Sequence, residues 1–122
     1  MSAIPPKYRT DNLFLLVGKN PLPNLVAAQL LLNSGETLFL VHSPDTMLVA
    51  SALEELLAQR HSIRQSQKIE VHEADAGEIK DRVAAVSSKL NGSVGLNYTG
   101  GTKSMAVHAY RAIETGLKDS AS

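Results

Sequence analysis

Four strand-like segments alternate with four stretches of helical periodicity, and this alternation predicts an α/β, Rossmann-like fold: a parallel sheet with helices on both faces. The first segment, Leu13 to Val17, is apolar without a break, as a strand covered on both faces requires. At 122 residues the chain has one domain's length, so residues 1–122 are expected to form a single domain. Each helix must carry the chain back over the sheet by a right-handed crossover, and the expected strand order is 3-2-1-4, in which the winding reverses between strands one and four.

Strand one is bounded by Asn12 and Gly18. Pro21-Leu22-Pro23-Asn24 opens a helix, since proline is tolerated in a first turn, and Leu25, Ala28, Leu31 and Leu32 recur at helical spacing until Gly35. Thr37 to Val41 gives strand two. Ser43-Pro44-Asp45-Thr46 supplies N-cap oxygens for a second helix, whose stripe is Val49, Ala52, Leu53, Leu56 and Leu57 and whose end lies near His61. Lys68 to Glu73 alternates apolar with polar, which marks strand three as a sheet edge. Ile79, Val83, Val86 and Leu90 form the third helix, stopped by Asn91-Gly92. Strand four is Ser93 to Tyr98. After the turn Thr99-Gly100-Gly101, a fourth helix presents Met105, Ala109, Ala112 and Ile113 on one face.

The composition narrows the function classes. With 43% hydrophobic and 20% charged residues, the chain is neither disordered nor collagen-like. Twelve basic residues balance twelve acidic ones, so no global field draws in a polyanion and duplex nucleic acid is not an expected partner. The absence of cysteine removes disulfides, Cys-based zinc sites and thiol catalysis, and suits the cytoplasm. No apolar run is long enough to span a bilayer, and Met1 to Asp11 does not read as a signal peptide, so a soluble, unexported chain is expected. His42, His61, His72 and His108 lie in separate elements without ligand spacing, so neither a metal site nor a cofactor is expected. His42 and Ser43 follow strand two near the crevice rim, where contact with a base and a solvated loop explain them equally well. Glu54, Glu55, Glu73 and Asp75 read as surface charges.

Two loops at the carboxyl ends of strands one and four carry the chemistry. The first runs from Gly18 through Lys19 and Asn20 to Asn24; the second is Asn97-Tyr98-Thr99-Gly100-Gly101-Thr102-Lys103-Ser104. Gly100 and Gly101 permit positive φ and converging N–H groups, and the fourth helix begins at Thr102 or Lys103 with its positive dipole end toward the same space. Lys103 adds a cation, and Thr99, Thr102 and Ser104 add hydroxyl donors, a set suited to phosphate or ribose. A plain glycine turn with a threonine cap would use most of the same residues, but it has no need of the lysine. The order Gly-Gly-Thr-Lys-Ser does not have Walker A spacing, and no Gly-x-Gly-x-x-Gly follows strand one, so a P-loop NTPase and a dinucleotide dehydrogenase are disfavoured. Gly18-Lys19-Asn20 stands where a phosphoacceptor receiver would want acidic residues.

Asn97-Tyr98-Thr99-Gly100-Gly101-Thr102-Lys103-Ser104-Met105-Ala106, after a fourth strand, resembles the Thr-Gly-Gly-Thr-Lys-x-Met signature of CARF domains, the CRISPR-associated Rossmann-fold sensors, and among them those of type III ancillary nucleases. The resemblance covers about Leu13 to Leu117. It implies a homodimer that binds cyclic oligoadenylate, usually the four-membered ring, across its two-fold axis and regulates a fused or separate effector in antiviral defence. Gly18, Lys19 and Asn20 would form the binding loop after strand one, and Thr99, Gly100, Gly101, Thr102 and Lys103 would meet phosphate and ribose. Family members continue into a fifth and sixth strand, whereas this chain stops at Ser122. Strand four would be left as an unpaired edge, so the expectation is a fragment of a longer effector protein, a split protein, or pairing with another chain.

Two functions use the same groups. One is a binding module without chemistry of its own. The other is a metal-independent ring nuclease, in which a ribose 2′-hydroxyl attacks the adjacent phosphate and Lys103 is the candidate for charge stabilisation. A third reading is an unrelated α/β domain that binds a mononucleotide or sugar phosphate.

Overall fold

The structure, a computed structural model, describes residues 10–60, 63–72, 75–97 and 103–121. Its elements are β1 (Thr10–Leu16), α1 (Leu22–Leu31), β2 (Leu32–His42), α2 (Met47–Arg60), β3 (Ile63–Glu70), α3 (Ala76–Ser87), β4 (Val94–Asn97) and α4 (Lys103–Ala121), with a 3₁₀ turn at Pro44–Thr46 leading into α2. The strands form one sheet in the order β3-β2-β1-β4, and every neighbouring pair is parallel. This is the expected Rossmann-like arrangement, with the reversal of winding between β1 and β4.

The alternation of side chains along β1 builds two cores. Phe14 and Leu16 point to the face covered by α3 and α4, where they join Phe39, Val41, Ile69 and Val71. Ile79 and Val83 of α3 and Met105, Ala109, Ala112 and Ile113 of α4 close that core, the last four being the whole face expected of the fourth helix. Phe14 and Phe39, paired in register, stack with ring centroids 4.6 Å apart. Leu13, Leu15 and Val17 point the other way, with Leu38 and Leu40, toward α1 and α2. There Ala27, Ala28 and Ala50 allow close approach to the sheet, and Leu53 and Leu57 fill the rest.

Several boundaries differ from the sequence reading. The first helix ends at Leu31, and Leu32, expected on its apolar stripe, already pairs with Thr10 as the first residue of β2. The register then shifts, because Asn12 pairs with Thr37, so the extra residues of β2 are accommodated as an irregularity rather than as another helical turn. The buried stripe of α2 is Ala50, Leu53 and Leu57, and Ala52 is exposed, which rotates the helix slightly from the expected face. β3 starts at Ile63 because backbone pairing with Glu36 and Thr37 extends it through a polar stretch that carries no periodicity signal. Glu73 and His61 lie outside the described residues, as does Tyr98 at the expected end of strand four.

The turn before β4 is tied to the start of β1. Asn12 donates from Nδ2 to the Asn91 carbonyl at 2.7 Å, and Asp11 and Ser93 exchange two hydrogen bonds, Asp11 N–H to Ser93 Oγ and Ser93 N–H to Asp11 Oδ2. Gly92 sits between them at φ 87°, in the region that suits glycine. No helix among the described residues is long and apolar enough to cross a membrane.

Candidate functional site

In an open parallel sheet, ligands bind outside the carboxyl ends of the strands where the winding reverses. Here that place lies between β1 and β4, whose ends are level because Leu15 pairs with Asn97. From β1 the chain passes through Gly18, Lys19 and Asn20 into α1; from β4 it reaches α4 at Lys103. Gly18 is half-buried, and Lys19 and Asn20 are exposed. Thr99, Gly100, Gly101 and Thr102 lie outside the described residues. Lys103 is placed as the first residue of α4, as expected from the sequence, while its side chain is not among those described.

Side-chain capping separates the helix N-termini along this edge. In α3, Asp75 caps the Glu78 N–H with its Oδ1 at 2.9 Å, and Glu78 adds a second carboxylate to the first turn. The turn before α2 carries Asp45. The first turns of α1 and α4 have no acidic residue, and a lysine stands at each: Lys19 three residues before α1 and Lys103 at the head of α4. Acidic residues thus stand at the α3 N-terminus and in the turn before α2, and none stands in the first turn of α1 or α4.

The α1 end is not a general anion cradle. Asn20 Oδ1 already accepts the Leu22 N–H at 3.1 Å, and Pro23 has no N–H to offer. Its anion-binding capacity rests on Lys19. Asn24, read from sequence only as part of the helix opening, is fully buried and donates from Nδ2 to the carbonyl of Leu16 at 2.9 Å, fastening α1 to the end of β1. The only sequence signal for it was an amide behind two prolines in the first turn of a helix.

The neighbouring strand end corrects one further expectation. His42 and Ser43 are not a solvated loop: both are buried, His42 Nδ1 donates to the Ser43 carbonyl at 2.8 Å, and Ser43 N–H donates to Thr46 Oγ1 at 3.0 Å. Beyond β3, Glu78 Oε1 accepts the His72 N–H at 2.6 Å and lies 3.0 Å from His72 Nδ1. That backbone bond leads the causes that hold the Glu78 carboxyl below its ordinary value, with the His72 side chain and Arg82 adding to it. Asp75 is an exposed charge, as expected, and also caps α3, and Glu54 pairs with Lys68 at 4.0 Å. Two open cavities lie away from the crevice: one of about 470 Å³ near Asn12, Gln65 and Lys89 at the opposite end of the sheet, the other of about 500 Å³ between α3 and α4.

No family model matches the chain, and no curated protein matches it. Among solved structures, Can2 from Sulfobacillus thermosulfidooxidans, in complex with cyclic tetra-adenylate (cA4), has the same fold, with a TM-score of 0.71 and 18% sequence identity. The match covers 87% of this chain and 30% of that one, so the chain spans less than a third of that neighbour's length. The likeness shows a shared fold, the parallel Rossmann-like sheet in the order β3-β2-β1-β4.

Proposed function

We propose that this domain is a sensor that binds a cyclic oligoadenylate second messenger, with cyclic tetra-adenylate as its ring, and regulates an effector in type III CRISPR defence. One observation carries the reading. The domain has the fold of a solved cyclic tetra-adenylate complex, and the helices that flank its switch point, α1 and α4, have no acidic residue in the first turn and carry a lysine near each N-terminus. A ring of four phosphodiesters carries about four negative charges, and two chains supplying Lys19 and Lys103 offer four positive ones, which accounts for binding by a chain of zero net charge. A homodimer places its two crevices about one axis, and an even-membered ring shares that symmetry.

Binding in this reading is electrostatic at the phosphates and backbone-directed at the Gly100-Gly101 turn, where close approach needs residues without a Cβ. Calorimetric titration of the purified chain with cyclic tetra-adenylate, together with analytical ultracentrifugation, tests it. The expected result is one ring per two chains and weaker binding of the three-membered ring. A monomer binding one ring per chain, or no binding, would overturn it. Chromatography of the ring after incubation separates the binding module, which returns it intact, from the ring nuclease, which returns linear products.

A further inference from the structure

Among the described residues, one buried side-chain polar atom has no hydrogen-bond partner: Oδ1 of Asn24. The residue is wholly buried in the first turn of α1. Its amide orientation is set by chemistry, because Nδ2 donates to the Leu16 carbonyl at 2.9 Å and a flipped amide would press two acceptor oxygens together. Oδ1 is thereby held between the end of β1 and the first turn of α1, the two points joined by the segment carrying Gly18, Lys19 and Asn20. A leucine of similar size would fill the same volume without burying an unpaired acceptor, so packing alone gives no reason for an amide here.

We propose that Asn24 is a positioning and specificity residue of the candidate site: Nδ2 fastens the end of β1 to α1, and Oδ1 accepts a hydrogen bond from a donor of the bound nucleotide. This rests on the nucleotide-binding reading. An amide oxygen has no attraction for an ionised phosphodiester, which carries no donor, so its counterpart is a ribose hydroxyl or the exocyclic amine of a base. The division of labour follows from residue chemistry: Lys19 meets phosphate, and Asn24 reads the nucleoside. Access is local, because Lys19 and Asn20 are exposed and the one hydrogen bond of their side chains among the described residues is that which Asn20 Oδ1 accepts from the Leu22 N–H two positions on.

The test titrates cyclic tetra-adenylate, its inosine analogue without the exocyclic amine, and its 2′-O-methyl analogue without the hydroxyl donor into the wild type and Asn24→Leu. The wild type should bind one of the two analogues about tenfold more weakly than the parent ring. Asn24→Leu should bind the parent ring about tenfold more weakly and lose that discrimination, with an unchanged circular dichroism spectrum. If Asn24→Leu does not fold, the side-chain amide signals of Asn24 in the ¹⁵N-labelled wild type serve instead: they should shift and exchange more slowly with the parent ring, and unmoved signals would overturn the proposal. A folded Asn24→Leu with wild-type affinity and discrimination would overturn it while leaving the sensor reading standing. Failure of the wild type to bind any ring would remove both.

Discussion

Gly116 of α4 lies against Ser87 of α3 so closely that a Cβ built on the glycine would overlap the serine Oγ and stand 3.0 Å from the Ala84 carbonyl. Ser87 is itself fixed, since its buried hydroxyl donates to the Val83 carbonyl at 2.9 Å. The contact sets how near the two helices run, and hence how tightly Ile79, Val83, Ala109 and Ala112 close the core over Phe14. Gly116→Ala should therefore cost about 1–3 kcal/mol, the scale of overpacking in a closed interface. Adding Ser87→Ala should recover only part of it, because the Ala84 carbonyl remains in the way. Urea unfolding of the three proteins checks this, and a parent-like midpoint for Gly116→Ala would show that the helices part without cost.

Gly92 should tolerate substitution no better. Its φ of 87° disfavours any side chain, and a Cβ there would come within 2.5 Å of Asp11 Oδ2, one half of the exchange with Ser93 that ties β4 to β1. Gly92→Ala should lower stability by about 1–2 kcal/mol from the backbone alone, with more from the displaced Asp11. Thermal melts measure the total, and amide exchange at Asn12 and Ser93 should show the loss to be local to the β1/β4 start.

The Glu78–His72 contact gives a pH dependence whose sign is fixed. A carboxyl held below its ordinary value in the folded state contributes stability above the unfolded glutamate pKa of about 4.3 and loses it as pH falls through the folded value. The contact is exposed, so its effect on global stability is small and its direct readout is the Glu78 carboxyl titration by NMR. The midpoint should fall below that of an ordinary glutamate, and His72→Ala should raise it only partly, because the backbone N–H that leads the effect remains. A midpoint unchanged from the ordinary value would contradict the geometry.

In the proposed sensor, Lys19→Ala and Lys103→Ala should each weaken ring binding by about 1–3 kcal/mol, the scale of a lost hydrogen bond to a charged group, and both should flatten its salt dependence. Lys80→Ala, on a helix whose first turn is already capped by Asp75, should leave binding unchanged. Calorimetry at two salt concentrations decides. Equal losses from Lys19, Lys103 and Lys80 would mean that the chain attracts the ring by diffuse charge and not at the β1/β4 crevice.

Gly101→Val should impair binding more than Gly101→Ala, since each added carbon both resists positive φ and fills the path of a phosphate to the backbone. Identical affinities for wild type and both variants would assign the glycine to the turn alone.

The sequence by itself determined where the four strands lie and, for α4, which helix face is apolar. Leu13 to Val17 could be read because a strand covered on both faces has no polar position to interrupt it, and Met105, Ala109, Ala112 and Ile113 because helical period alone selects them. The loop after β1 could be read for the same reason, because Gly18, Lys19 and Asn20 stand out against the apolar strand before them. Only the tertiary structure decided where α1 stops, since Leu30-Leu31-Leu32 suits helix and strand alike and the pairing of Leu32 with Thr10 ends the helix. It also decided that Asp75 is a cap, that His42 and Ser43 are buried, and that the Asn24 amide meets the Leu16 carbonyl. Periodicity records which side of an element avoids water, but the partner of a polar atom is set by which backbone group the folded chain brings within 3 Å of it, and no local pattern encodes that distance.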